Sequence, residues 1–193
     1  MIIGLTGQTG AGKSTVCKVF DNFGFVTVDC DKLSREITNT DRELVRNLAE
    51  KFGNDILNED GSLNRKALGN KAFSSKQNTE LLNSLTHPAI IKKIKEIIGA
   101  NKNKTVVLDA PTLFESGAFR LCDKIISVIA DENIRLDRIM KRDLISKQAA
   151  LLRISAQGDD SFYTERSDAV IVNNENGDIS QKVNKALNDI GVI

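Results

Sequence analysis

The sequence predicts an α/β fold, a five-stranded parallel sheet with helices on both faces, and three observations carry that prediction. Short apolar runs at 2–6, 25–29, 105–109, 125–130 and 169–173 read as strands, and amphipathic helical stretches alternate with them. The first run leads straight into a glycine-rich loop and then a helix, GLTGQTGAGKST over 4–15. Right-handed crossovers make a sheet with such connections parallel.

The loop carries the most chemistry. Gly7 to Ser14 fits G-x-x-x-x-G-K-[ST] at every fixed position, the pattern of a phosphate-binding loop. Its glycines let consecutive backbone N–H groups converge on phosphate oxygens. Lys13 can reach the β- and γ-phosphates, and the Ser14 hydroxyl can ligate Mg²⁺. A helix starting here turns its positive end toward the same anion. The dinucleotide fingerprint fails, because Thr15 stands where its third glycine belongs. The expectation is a nucleoside triphosphate site.

The 193 residues allow one domain with a real core. A net charge of +1, from 27 Lys and Arg against 26 Asp and Glu, argues against nucleic-acid or anionic-membrane partners. No stretch approaches the roughly 20 apolar residues of a membrane span, and the chain reads as cytosolic. Cys17, Cys30 and Cys122 form no C-x-x-C pair, so the expectation is three small buried hydrophobes rather than a disulfide or a zinc site.

Taken in order, the first helix spans 14–23, with Val16, Val19, Phe20 and Phe23 on one stripe and Gly24 as its stop. The second strand, 25–29, delivers Asp31 close to its carboxyl end, the edge where open α/β sheets bind ligands. Asp31 can equally cap a helix over 32–39. Thr40 to Glu43 reads as a capping box before a helix over 44–52. Short helices are expected over 65–73 and 76–86. His87, as a cap or structural residue, and Pro88 then open another helix over 89–99. Residues 40–98 thus form a helical insertion, expected on the acceptor side. The strand 105–109 ends in Asp109, a carboxylate suited to holding the hydration shell of Mg²⁺. Asp131 caps a helix over 132–142, and a second helix follows over 146–157. With the polar, irregular stretch after them, these have the shape of a lid over 132–165. Arg135 and Lys141 read as solvated, while a lid arginine can close on the transferring phosphoryl group. A turn over 174–177 and a helix over 178–189 close the chain.

Several motifs now coincide, and the chain resembles the dephospho-CoA kinases nearly end to end. The resemblance rests on the opening loop, VDCD (28–31), DGSLNR (60–65), LTHP (85–88), VLDAPTLFE (107–115), RIMKRD, RISAQ and DAVIVNN. Thr112 stands where the family usually has leucine, and the segment after Gln157 is acidic and polar. The resemblance implies ATP-dependent phosphorylation of the ribose 3′-hydroxyl of dephospho-CoA, with Mg²⁺, as a monomer or small homo-oligomer. It makes Asp31 the general base, and places Thr6 near the reacting centre and Arg142 on the phosphates. Gly10, Ala11, Gly12, Lys13, Ser14 and Thr15 would hold ATP, with Asn173 near its adenine. Ser14 and Asp109 would serve the metal. Arg65, His87, Leu113, Phe114 and Glu115 would line the acceptor pocket. Two other readings use the same loop: a nucleoside or nucleoside-monophosphate kinase, and a nucleotide sensor without turnover. A GTPase is excluded because no N-K-x-D motif occurs.

Overall fold

β1 (Ile2–Gly7), nearly all of it buried, is the middle strand of the sheet. The computed structural model describes residues 1–174 and 177–193. The remaining strands are β2 (Val26–Asp29), β3 (Val106–Asp109), β4 (Lys124–Ile129) and β5 (Ala169–Val172). Their order is β2-β3-β1-β4-β5, and the sheet is parallel, as expected. β1 runs beside β3 with Ile3 opposite Val107, and beside β4 with Leu5 opposite Ile126. A parallel strand covered on both faces needs an unbroken apolar run, and Ile2 to Leu5 with Val106 to Leu108 supply it.

The chain divides into two compact units, Met1–Val28 with Asn101–Ile193, and Asp29–Ala100. In the first, α1 (Lys13–Asn22) and α9 (Ile179–Asp189) pack together over one face of the sheet. Ile3, Leu5, Val128 and Ile171 meet Val16, Phe20, Val183 and Leu187 there in one core. α8 (Asp160–Thr164) packs against β4, although the sequence suggests an irregular stretch; Asp159 caps it by accepting the Phe162 N–H at 3.0 Å. α6 (Glu132–Asp143) and α7 (Lys147–Ser155) form a hairpin with its own small core of Leu136, Ile139, Ala150 and Ile154. Leu144, with φ of 53°, turns the chain between them.

In the second unit, α5 (Lys76–Ala100) packs against α2 (Cys30–Thr40), α3 (Arg42–Phe52) and α4 (Arg65–Ala72). Two expected helices are therefore one. Pro88 lies inside it rather than in a first turn, where it removes one N–H from the helical ladder. Thr86 before Pro88 and Ile94 after it are both buried, and the packing of the helix offsets the lost bond. Three caps also differ from expectation. Asp29, not Asp31, caps α2 by accepting the Lys32 N–H at 2.8 Å. Asp41 caps α3 through the Leu44 N–H at 2.9 Å, while Thr40 ends α2 and bonds back to the Glu36 carbonyl. Asp131 precedes α6 without a side-chain capping bond. The expected turn over 174–177 falls partly on residues 175 and 176, outside the described ones. Among the described residues no helix is long and apolar enough to cross a membrane.

Candidate active site

Three glycines shape the loop between β1 and α1, each for want of room. Gly7 has φ of +147°, and a Cβ there would lie 2.1 Å from the Val128 carbonyl oxygen. At Gly10, with φ of +79°, it would meet the Arg135 carbonyl at 2.7 Å. At Gly12, with φ of +94°, it would meet Asn173 Nδ2 at 2.3 Å. Gly12 is also the N-cap of α1, and no side chain caps that end. The Lys13 and Ser14 amides at the start of the turn have no intrahelical partner and are available to an anion, whereas the Thr15 N–H already donates to the Gly12 carbonyl at 2.9 Å. This is what a triphosphate requires of the loop.

Lys13, at the start of α1, is ion-paired with Asp109 at the end of β3. Cys17, one turn along α1, donates its thiol to the other carboxylate oxygen of Asp109 at 3.2 Å. Burial and the Asp109 charge push the Cys17 thiol well above its ordinary pKa, so it stays a donor. The three cysteines are half-buried rather than wholly sequestered, and none forms a disulfide. Thr6 is fully buried and donates its hydroxyl to the Pro111 carbonyl at 3.2 Å.

The loop opens on a cavity of about 600 Å³ whose walls include Lys13, Ser14, Pro111, Arg138, Arg142 and Gln157. Arg142 reaches this wall while its guanidinium grips Asp143 through two bonds of 2.7 and 2.9 Å. Arg153 pairs with the same carboxylate. The Arg142 hydrogen bonds, with the Arg153 charge, hold the Asp143 carboxyl below its ordinary range. Arg138 instead donates to backbone carbonyls, to Asn173 at 3.0 Å and to Gly10 and Ala11 at 3.4 Å. Asn173 Nδ2 donates to the Ala11 carbonyl at 2.7 Å. Arg135, expected in solvent, is 6% exposed. Its Nε donates to the Ala130 carbonyl at 2.9 Å. Lys141 is exposed as expected.

The first unit thus gathers Thr6, Gly10, Ala11, Gly12, Lys13, Ser14, Thr15, Asp109, Arg142 and Asn173. It also holds a second cavity, of about 420 Å³, lined by Phe114, Glu115, Phe119, Phe162 and Arg166. Leu113 does not reach that lining; it is buried, close under Gly4. The second unit carries Asp31, Arg65 and His87. Asp31 is exposed in the first turn of α2. Arg65 Nη2 donates to the Arg35 carbonyl, Thr38 and Asn39 at 2.5, 2.6 and 2.8 Å, bracing α4 on the end of α2. His87 is half-buried within α5, and burial lowers its pKa. A cavity of about 820 Å³ in this unit lies among α2, α3 and the turn near Asp60.

Sequence reasoning passed over Asp143 as a partner of Arg142, and Gln8 entirely, since Gln8 occupies a free position of the motif. Cys17 offered a signal in its i, i+4 spacing from Lys13, which places both on one helix face.

Comparison with known proteins gives a consistent picture. The family model described as dephospho-CoA kinase matches residues 1–178. A dephospho-CoA kinase from Fusobacterium nucleatum is 38% identical over 186 residues, 96% of each chain. Among solved structures, TT1252 from Thermus thermophilus superposes with a TM-score of 0.82 at 27% identity, covering 98% of this chain and 95% of that one. A dephospho-CoA kinase from Campylobacter jejuni matches with a TM-score of 0.62 at 26% identity, covering 98% and 96%.

Proposed function

The chain belongs to the dephospho-CoA kinase family, and from that premise we propose that it transfers the γ-phosphoryl group of ATP to the ribose 3′-hydroxyl of dephospho-CoA. Dephospho-CoA kinase activity and the use of a small-molecule substrate follow from the family. The 3′ position and the residue roles are the proposal. The observation that supports it best is the uncapped start of α1 behind a glycine loop that admits no Cβ, with Lys13 and Ser14 on the same turn.

Phosphoryl transfer asks a protein mainly for positioning and for neutralisation of charge. Gly10, Ala11, Gly12, Lys13, Ser14 and Thr15 form the cradle that binds the phosphate oxygens, with the Ala11 and Thr15 N–H groups held on the Gln8 and Gly12 carbonyls. Lys13 leaves Asp109 to reach them, which frees that carboxylate for the metal's hydration shell beside the Ser14 hydroxyl. Two protein oxygens suit Mg²⁺, which keeps several waters and takes phosphate oxygens as further ligands. When bound, Mg²⁺ would supply charge neutralisation for the phosphates. Asn173, held on the Ala11 carbonyl, sets the loop on the side of the nucleotide base. Thr6 stands at the end of β1, near the reacting centre.

Arg142 belongs to the lid formed by α6 and α7; it exchanges Asp143 for the transferring phosphoryl group. Its charge then balances the negative charge spread over that group. Asp31 accepts the proton of the attacking hydroxyl, for which a carboxylate in the first turn of α2 has the right chemistry. On the family resemblance, Arg65, His87, Leu113, Phe114 and Glu115 serve acceptor binding.

The test is ADP release from ATP and Mg²⁺ with purified protein, offered dephospho-CoA or a panel of nucleosides and nucleoside monophosphates. Turnover with dephospho-CoA alone, giving a 3′-phosphorylated product, is the expected result. Turnover with a nucleoside instead would reassign the acceptor pocket.

A further inference from the structure

We propose that Gln8, Gln157 and Asp160 form a latch that positions the phosphate loop, with Gln157 and Asp160 acting as positioning residues for phosphoryl transfer. This rests on the loop's being the ATP site. Gln8 is 2% exposed although its position in the motif admits any residue. Both ends of its amide are used. Its nitrogen donates to Asp160 Oδ1 at 2.7 Å, and its oxygen faces the Ala130 N–H at 3.4 Å. One residue on, the Thr9 backbone N–H donates to Gln157 Oε1 at 2.7 Å. All of these residues lie in the first unit.

Two consequences follow from which groups are paired. A backbone N–H of this loop would otherwise face the 600 Å³ cavity that Thr9 and Gln157 both line. By accepting it, Gln157 withdraws the Thr9 amide from the set offered to phosphate, so that set begins at Gly10. Moreover, Gln157 and Asp160 sit where the chain returns from α7 into α8. Arg138 on α6 holds the Gly10 and Ala11 carbonyls from the other leg of the hairpin. The hairpin is moored to the loop from both legs, at mid-α6 through Arg138 and beyond the end of α7 through Gln157, so a shift of α6 and α7 is felt by the phosphate-binding amides through a handful of hydrogen bonds.

Exchanging donor and acceptor across Gln8 and Asp160 tests this without changing the net charge. Gln8→Glu sets two carboxylates against each other and should lower kcat/KM for ATP at least about tenfold. Asp160→Asn keeps an oxygen for the Gln8 amide and should cost no more than about threefold, the loss of charge assistance. In Gln8→Glu/Asp160→Asn the new side-chain amide donates to the new carboxylate, and kcat/KM should return to within about threefold of Asp160→Asn alone. Gln157→Leu, which keeps shape but removes the acceptor, should cost about tenfold in kcat/KM for ATP. The KM for dephospho-CoA and the Tm should stay close to those of the parent.

A double variant as poor as Gln8→Glu, or a Gln8→Glu variant equal to the parent, overturns the latch. So does a Gln157→Leu loss that tracks Tm alone, since that is a folding effect. If Gln8→Glu does not fold, Gln157→Leu decides by the same split. Calorimetric titration of the parent with Mg²⁺·ATP separates the two levels: no binding removes the ATP-site reading and the latch together. Binding and turnover by a parent whose variants are indifferent removes the latch alone.

Discussion

Asp31 and Arg142 are the two side chains on which the proposed chemistry depends most directly, and they fail differently when removed. Asp31→Asn keeps the shape of the first turn of α2 but cannot take a proton. It should lower kcat by about 10²-fold or more while leaving ATP affinity near that of the parent, as read by calorimetry. Arg142→Ala removes a charge that acts in the transition state and should lower kcat/KM on the order of 10³-fold. Steady-state kinetics with dephospho-CoA check both, and an unchanged kcat/KM for Arg142→Ala would pass the role to Arg138. Arg138 is engaged with the carbonyls of Gly10, Ala11 and Asn173, so its loss should disturb ATP binding as well. His87 gives a pH signature. Burial lowers its pKa in the folded chain, so near and below the unfolded value of about 6.5 the unfolded state binds more protons. Stability contributed by neutral His87 is complete above that value and declines as pH falls through it. Chemical denaturation of the parent and of His87→Gln between pH 5 and 8 should show the slope only in the parent.

At the scale of elements, strands and the phosphate loop were legible because their signals are local and strict. An apolar run as tight as 105–109 has few alternatives, and the loop motif fixes its own geometry through Gly7, Gly10 and Gly12. Helix boundaries in Asp29–Ala100 were less so. Pro88 ordinarily marks a first turn, and only the packing of α5 against α2, α3 and α4 keeps the helix whole. Asp41 was hidden behind the Thr40 to Glu43 pattern, because two consecutive residues can both cap and the backbone of Thr40 decides for α2. The burial of Arg135 was illegible for a related reason: its charge suggests solvent, while its place behind Gly10 is set by how α6 approaches the loop. The cap assignment makes a prediction. Asp41→Ala should destabilise the fold by about 1 kcal/mol, whereas Thr40→Ala should change it by only a few tenths, measured by urea unfolding.

For the whole molecule, the order β2-β3-β1-β4-β5 has a consequence in time rather than in space. The middle strand is made before its neighbours, and Ile3 finds its partners only at Val107 and Lys124. At roughly 5–20 residues per second, the strand that carries the phosphate loop waits on the order of 5–20 s before either neighbour exists. Asp29–Ala100 is continuous in sequence and complete before β3 is made, so its helices can form while β1 is still an unpaired apolar segment. The nucleotide site therefore waits for β3 and β4, although its motif is translated before either of them.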